Sequence, residues 1–272
     1  MTVNLREMMD KYYEEGLTRE LASARVCQDI VLKAISEGPL NQNITIKGGV
    51  VMRSITRNNR RATRDIDLDF IHYSISDDSV MNFVSAMNCI DGINIDVEGK
   101  IKELKHQDYH GKSIDVVIKD EYGNLVSSKI DIGVHRHFEI EQDSYCFDVC
   151  MDERGASLLK NSNEQAFTEK LKSLLILGSN SRRYKDIFDM YYLKSHINDQ
   201  KLIEVIELLI LSDPGMRERS IQDIVDRVLN TFSNEQFLER VSASRQRWID
   251  DEIHDIADGI IEYLSALMRF LL

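Results

Sequence analysis

The sequence has little cysteine, almost no proline and no long apolar run, and each shortage removes a class of protein. Cys27, Cys89, Cys146 and Cys150 make no CxxC pair and no zinc-type spacing. Free thiols, packed in a reducing compartment, are the expectation. No apolar run nears the roughly 20 residues that cross a bilayer, so no membrane partner is expected. The opening stretch, MTVNLREMMDKYYEEG, lacks the apolar centre of a signal peptide. A cytoplasmic location is therefore expected. Positive charge is also short. The 34 Lys and Arg stand against 46 Asp and Glu, a formal net charge of −12. That is not the footprint of a general nucleic-acid binder, although a local basic patch can still serve RNA. There is no internal repeat, low-complexity tract, P-loop, Rossmann glycine pattern or Ser-His-Asp order.

What remains is an ordinary globular composition, 43% apolar over 272 residues, enough for one large domain or two modest ones. Residues 3–36 read as helix in two pieces, with Leu21, Ala24, Val26, Ile30 and Leu32 giving the second a broad apolar side. Gly38-Pro39-Leu40-Asn41 is a turn, and 44–46 a first strand. Residues 50–56 should be a helix, 65–70 a second strand and 79–89 a helix; 93–97 is too short to assign. Residues 113–119 and 126–134 flank Glu121-Tyr122-Gly123-Asn124, a hairpin pattern. From about 162 the period becomes helical. Ser162 and Gln165 suggest a capping box, and Phe167, Leu171, Leu174 and Leu175 share a helix face. Further helices are expected over 184–195, 221–231, 235–248 and 252–271, with a break at Asp213-Pro214-Gly215. The fold class expected is α+β: a mixed sheet with flanking helices over 1–160 and a helical domain over 161–272.

Chemistry concentrates in Lys47 to Phe70, KGGVVMRSITRNNRRATRDIDLDF. Asp65, Asp67 and Asp69 alternate with Ile66, Leu68 and Phe70, so on a strand the carboxylates share one face and the apolar residues the other. Crowded carboxylates repel, and a divalent cation such as Mg²⁺ with hard oxygen ligands relieves them. The Gly48-Gly49 pair lets backbone approach a ligand, and a helix starting there would point N–H groups at a phosphate. Arg53, Arg57, Arg60, Arg61 and Arg64 lie between, with forks that match phosphate oxygens. Arg64 is placed to offset the carboxylates instead. Two candidates exist for a further carboxylate on another strand, Asp131 in KIDI and Asp115 in IDV. His135 and His137 alternate but have no further ligand in view, and read as ordinary.

A Gly-Gly that opens a helix, followed by a D-x-D strand, resembles the polymerase-β-type nucleotidyltransferase superfamily. GGVVMRSI followed by RDIDLDF is similar to its AbiEii/AbiGii toxin branch, although Val50-Val51 and Arg53 depart from the usual residues. KIDI at Asp131, EKL at Lys170 and RxxDxxD ending in Asp186 and Asp189 follow in the family's order. The resemblance implies an α+β nucleotidyltransferase domain with a helical domain that closes the active-site cleft. It implies catalysis by Asp65, Asp67, Asp131, Lys170, Asp186 and Asp189, with either of the last two as the assisting group. Metal ligation, of two Mg²⁺ ions, would fall to Asp65, Asp67 and Asp131. The NTP would meet Lys47, Gly48, Gly49, Arg53, Arg64 and Lys170. The implied role is the toxin of an AbiE-like type IV toxin–antitoxin pair in bacterial phage defence (abortive infection). It would transfer NMP to an acceptor hydroxyl, with a tRNA 3′ end leading, alongside a separately encoded AbiEi-like antitoxin. A small-molecule nucleotidyltransferase of the antibiotic-modifying kind is the alternative; a catalytically idle binding relative is the second.

Overall fold

The protein is described by a computed structural model covering residues 3–105 and 110–270. It divides into two compact units, Met1–Asn161 and Ser162–Leu272.

The first unit is built on a seven-stranded mixed sheet. In chain order come α1 (Leu5–Glu14), α2 (Arg19–Glu37), β1 (Ile44–Lys47), α3 (Gly48–Thr56), β2 (Ile66–Phe70) and α4 (Asp77–Ala86). Five strands complete it: β3 (Ile93–Lys105), β4 (His110–Asp120), β5 (Leu125–Val134), β6 (Asp143–Val149) and β7 (Asp152–Lys160). The sheet order is β3-β4-β5-β2-β1-β7-β6. β2 runs parallel to β5 and β1 parallel to β7; the other neighbours are antiparallel. Ile44, Ile46, Ile66, Leu68, Phe70, Ile130 and Ile132 are all buried, as the period of two requires. They join Val26, Ile30 and Val31 of α2 in one apolar core, whose burial is the main favourable term in this unit's stability. Thr18 caps α2 by accepting the Leu21 N–H at 3.4 Å.

Two expectations for this unit change. The stretch at 93–97 is the start of a thirteen-residue strand, long because a register shift between Glu98 and Lys102 lets pairing resume beyond it. Residues 143–160 form a hairpin that no alternation announced.

The second unit is helical: α5 (Asn163–Leu177), α6 (Tyr184–Leu193), α7 (Asp199–Ile206), α8 (Ile221–Phe232), α9 (Glu235–Ser242) and α10 (Ile253–Leu267). α7 runs on into a π-helical turn at Glu207–Leu211. Ser162 caps α5 by accepting the Gln165 N–H at 3.1 Å. Gln165 does not reach back to complete a box; its side chain donates to Glu169 at 2.9 Å. α9 stops at Ser242, short of the expected 248. There the Arg247 guanidinium gathers the carbonyls of Ile249, Asp250 and Asp251 at 3.0, 2.9 and 2.8 Å and curls the chain out of helix.

Candidate active site

The polar face of the sheet is arranged in rows. β1 against β2 sets Lys47 opposite Asp67 and Thr45 opposite Asp69. β2 beside β5 sets Asp67 next to Asp131 and Asp69 next to Gly133, and β4 adds Ser113 next to Asp131. Lys47, Asp67, Asp131 and Ser113 therefore form one row across four strands. Asp65 lies just before β2, two residues from Asp67 on the same side.

Each carboxylate in this group has a different partner. Asp131 accepts the Ser113 hydroxyl at 2.6 Å and lies 2.9 Å from the Lys129 ammonium. That same ammonium is 3.4 Å from Asp65. Asp69 is buried rather than wet, and pairs with Lys47 at 2.6 Å. It fits only because position 133 is glycine: a Cβ there would strike the Asp69 carboxylate. Asp115 belongs elsewhere. It sits one strand further out, opposite Lys129, and pairs with Lys102 at 2.6 Å.

The glycine turn closes over Asp67. β1 ends at Lys47 and α3 begins at once with Gly48, whose φ of +65° favours glycine. A Cβ at 48 would strike the Asp67 carboxylate, and one at 49 the Thr63 side chain. The Gly49 N–H donates to Asp67. Burial pushes the Asp67 carboxyl above the usual carboxylate range; Asp131 and Asp65 push the same way, while Lys47 and the Gly49 N–H pull back. The α3 N-terminus thus brings backbone N–H groups to the rim of an acidic row, an arrangement suited to a polyphosphate held with cations.

Among the described residues no three His, Cys, Asp or Glu side chains are drawn close enough to hold a metal ion. Between Asp65 and Asp131 stands the Lys129 ammonium. The donor set nonetheless suits Mg²⁺ in chemistry: hard carboxylate oxygens, one of them with its pKa raised mainly by burial, around a place where positive charge is already held.

In the helical unit Lys170 of α5 lies 2.9 Å from Asp189 and 3.2 Å from Asp186, both on α6. Arg183 adds a bond to Asp186 at 2.7 Å, and the indole N–H of Trp248 donates to Asp189 at 3.1 Å. Asp189 is fully buried, whereas the Asp186 side chain keeps 11% of its surface.

Within each unit the expected residues gather. Gly48, Gly49, Asp65, Asp67 and Asp131 come together, and so do Lys170, Asp186 and Asp189. Arg53, Arg57 and Arg64 have their described surroundings away from the carboxylates. Arg64 pairs with Glu20 on α2 at 2.6 Å, so it does not offset the acidic row. Arg57 closes α3 in the left-handed region and is exposed, 3.9 Å from Asp148. Arg61 is buried, and Arg53 faces a cavity away from the row. His135 is buried with its pKa lowered by that burial. Three site groups were missed. Lys129 had a signal, since it shares the face of Asp131 two residues on. Ser113 needed the pairing register, and Trp248 had no local signal at all.

The sequence matches, over residues 30–260, the family described as "Nucleotidyl transferase AbiEii toxin, Type IV TA system". No curated protein matches it. Among solved structures, an antigenic nucleotidyltransferase-like protein from Paracoccidioides brasiliensis is 13% identical, with a TM-score of 0.39, over 79% of this chain and 92% of that one. The antibiotic-resistance factor ANT(2'')-Ia is 12% identical, with a TM-score of 0.42, over 68% and 90%. No residue assignment rests on either likeness.

Proposed function

This chain belongs to the AbiEii nucleotidyltransferase toxin family, and from that premise we propose that it moves a nucleoside monophosphate from an NTP onto an acceptor hydroxyl, releasing pyrophosphate, with a tRNA 3′ end as the leading acceptor. The observation that carries the reading is the Gly48-Gly49 turn packed on Asp67, in register with Asp131.

The chain's own groups divide the work. The start of α3 receives the triphosphate through N–H groups other than that of Gly49 and holds it in line, which is where most of the acceleration in such transfers comes from. Asp65, Asp67 and Asp131 would hold Mg²⁺, whose charge would offset that of the phosphates. Lys47 occupies Asp69 and favours the ionised form of Asp67, so its role is to set the row's charge rather than to grip the nucleotide. Lys129 holds Asp65 and Asp131 until a stronger cation competes for them. Of the helical unit's acidic pair, we assign Asp186 as the group that assists the acceptor hydroxyl, because Asp189 is sealed against Lys170 and Trp248. An AbiEi-like antitoxin, a bacterial cytoplasmic setting and a phage-defence role complete the proposal. Among the described residues no helix is long and apolar enough to cross a membrane.

The test is incubation with each labelled NTP, Mg²⁺ and total tRNA, beside a panel of antibiotic-type small molecules. Label on tRNA, absent in Asp67→Ala, is expected. Label only on a small molecule replaces tRNA as the acceptor, and no label from any NTP leaves a binding protein.

A further inference from the structure

One cation in the acidic row stands among the carboxylates assigned above to Mg²⁺. The Lys129 ammonium lies 2.9 Å from Asp131 and 3.4 Å from Asp65, and these are its described contacts. Strand pairing alone would not send it there. Across the β4–β5 ladder Lys129 stands opposite Asp115, but Asp115 is taken by Lys102 at 2.6 Å. Lys129 reaches the other way, to the foot of β2.

The two lysines with described contacts to the row are held very differently. Lys47 and Asp69 keep 14% and 7% of their side-chain surface, and the pair is packed against Gly133. Lys129 keeps 36%, and its partners Asp65 and Asp131 keep 50% and 21%. An ion pair open to solvent contributes little, so Lys129 can leave its partners at small cost. Leaving a buried pair such as that of Lys47 is costly. Other side chains that could answer a triphosphate are few here. Arg53, Arg57 and Arg64 have their described surroundings away from the carboxylates. That leaves Lys129 as the cation that both touches the row and reaches solvent.

Asp65 and Asp131 cannot keep the Lys129 ammonium and a divalent cation in one place, because like charges repel. Mg²⁺ is commonly bound by one or two carboxylates together with substrate phosphates. Phosphate oxygens are then the anions left for the displaced ammonium to meet. The move is short. β5 lies one strand spacing, about 4.8 Å, from β2, and the Gly48 turn packs on the β2 carboxylate Asp67. We propose that Lys129 is a nucleotide-contacting residue, parked on Asp65 and Asp131 in the empty protein and released to the triphosphate oxygens when an NTP binds with its cation. A compact charge on a flexible stem suits that transfer. The assignment rests on the transferase reading of the row and adds to it the side chain that answers the phosphates.

The test is calorimetric titration of the full chain, first with Mn²⁺ alone and then, at saturating Mn²⁺, with each α,β-methylene NTP, whose α–β bridge is not cleaved. The unmodified chain should bind both. Lys129→Met should bind Mn²⁺ alone about 10-fold or more tightly and the nucleotide about 10-fold or more weakly, the size that one charge-assisted hydrogen bond implies. Lys129→Gln, uncharged but polar, should give the same pair of shifts. A merely structural lysine would not move the two affinities in opposite directions. Tighter Mn²⁺ with unchanged nucleotide binding makes Lys129 a competitor only and overturns the proposal. Two shifts in one direction, or none, overturn it as well. Asp67→Asn, which should weaken Mn²⁺ binding, separates the two levels. Mn²⁺ binding that survives Asp67→Asn, or is absent from the unmodified chain, defeats the metal reading and this proposal with it. Mn²⁺ binding that depends on Asp67, beside nucleotide binding indifferent to Lys129, defeats the proposal alone.

Discussion

Both units set lysines against aspartates, and they do so to opposite ends. On the sheet, two ammonium groups are spread over four carboxylates, Asp67 is held above its usual pKa, and Asp65 and Asp131 share one cation with solvent beside them. On α5 and α6, one lysine sits between two carboxylates, an arginine and an indole supply further bonds, and the set is largely sealed. The first arrangement has more carboxylates than ammonium groups to pair them. The second is compensated, so disturbing it costs stability. The difference teaches that the same residue types leave a group open or fasten it together according to how much charge is left over.

The largest effect that would test this contrast is on the clasp. Lys170→Met takes the ammonium at 2.9 Å away from the buried Asp189 and should destabilise the helical unit by about 3–5 kcal/mol, read by denaturant unfolding. A loss under about 1 kcal/mol would erase the contrast.

On the sheet the expectation reverses. Asp67→Asn should cut nucleotidyl transfer by about 100-fold or more, as removal of a charge-stabilising group in other active sites does. Stability at neutral pH should hold or rise. The sign follows from the raised pKa: an acid whose pKa is higher folded than unfolded stabilises the fold at low pH and loses that contribution as pH rises through the folded value. At neutral pH the ionised Asp67 is thus a liability that Asn removes.

The same shift sets a pH profile. Protons compete for Asp67 up to a pH above the ordinary carboxylate range, so transfer should climb through that raised value. Lys47→Met removes the cation that pulls the pKa down and should move the acid limb to higher pH. An unmoved limb would detach Asp67 from the rate.

Smaller effects sharpen the boundary. Trp248→Phe removes one hydrogen bond to a buried carboxylate and should cost the helical unit about 1–3 kcal/mol by thermal melting. Asp115→Asn breaks only an exposed pair with Lys102 and should stay within about 0.5 kcal/mol, with transfer unchanged.

How much of this was legible depends on the range of the interaction concerned. The period of two through Asp65, Asp67 and Asp69 gave one face correctly, and KIDI supplied Asp131 on another strand. That these strands are neighbours in register came only from the fold. Burial was misjudged at Asp69, because alternation reports a face and not whether Lys47 and Gly133 close it. The hairpin at 143–160 stayed unread because Asp143, Asp148, Asp152, Glu153 and Arg154 break up its apolar residues, and the register shifts between Phe147 and Val149. Both Lys170 and the α6 aspartates were singled out, but their joining into one clasp spans two helices and a distant tryptophan, which no local pattern encodes.

Gly48 is barred to substitution twice over, by its backbone angle and by the carboxylate lying where a methyl group would go. Single-base changes in a glycine codon, when not silent, give only residues with a side-chain carbon, or a stop. In a saturation library selected for survival of the host, codon 48 should therefore be a hot column of escapees. Their harmlessness would record a jammed turn, with every carboxylate still in place.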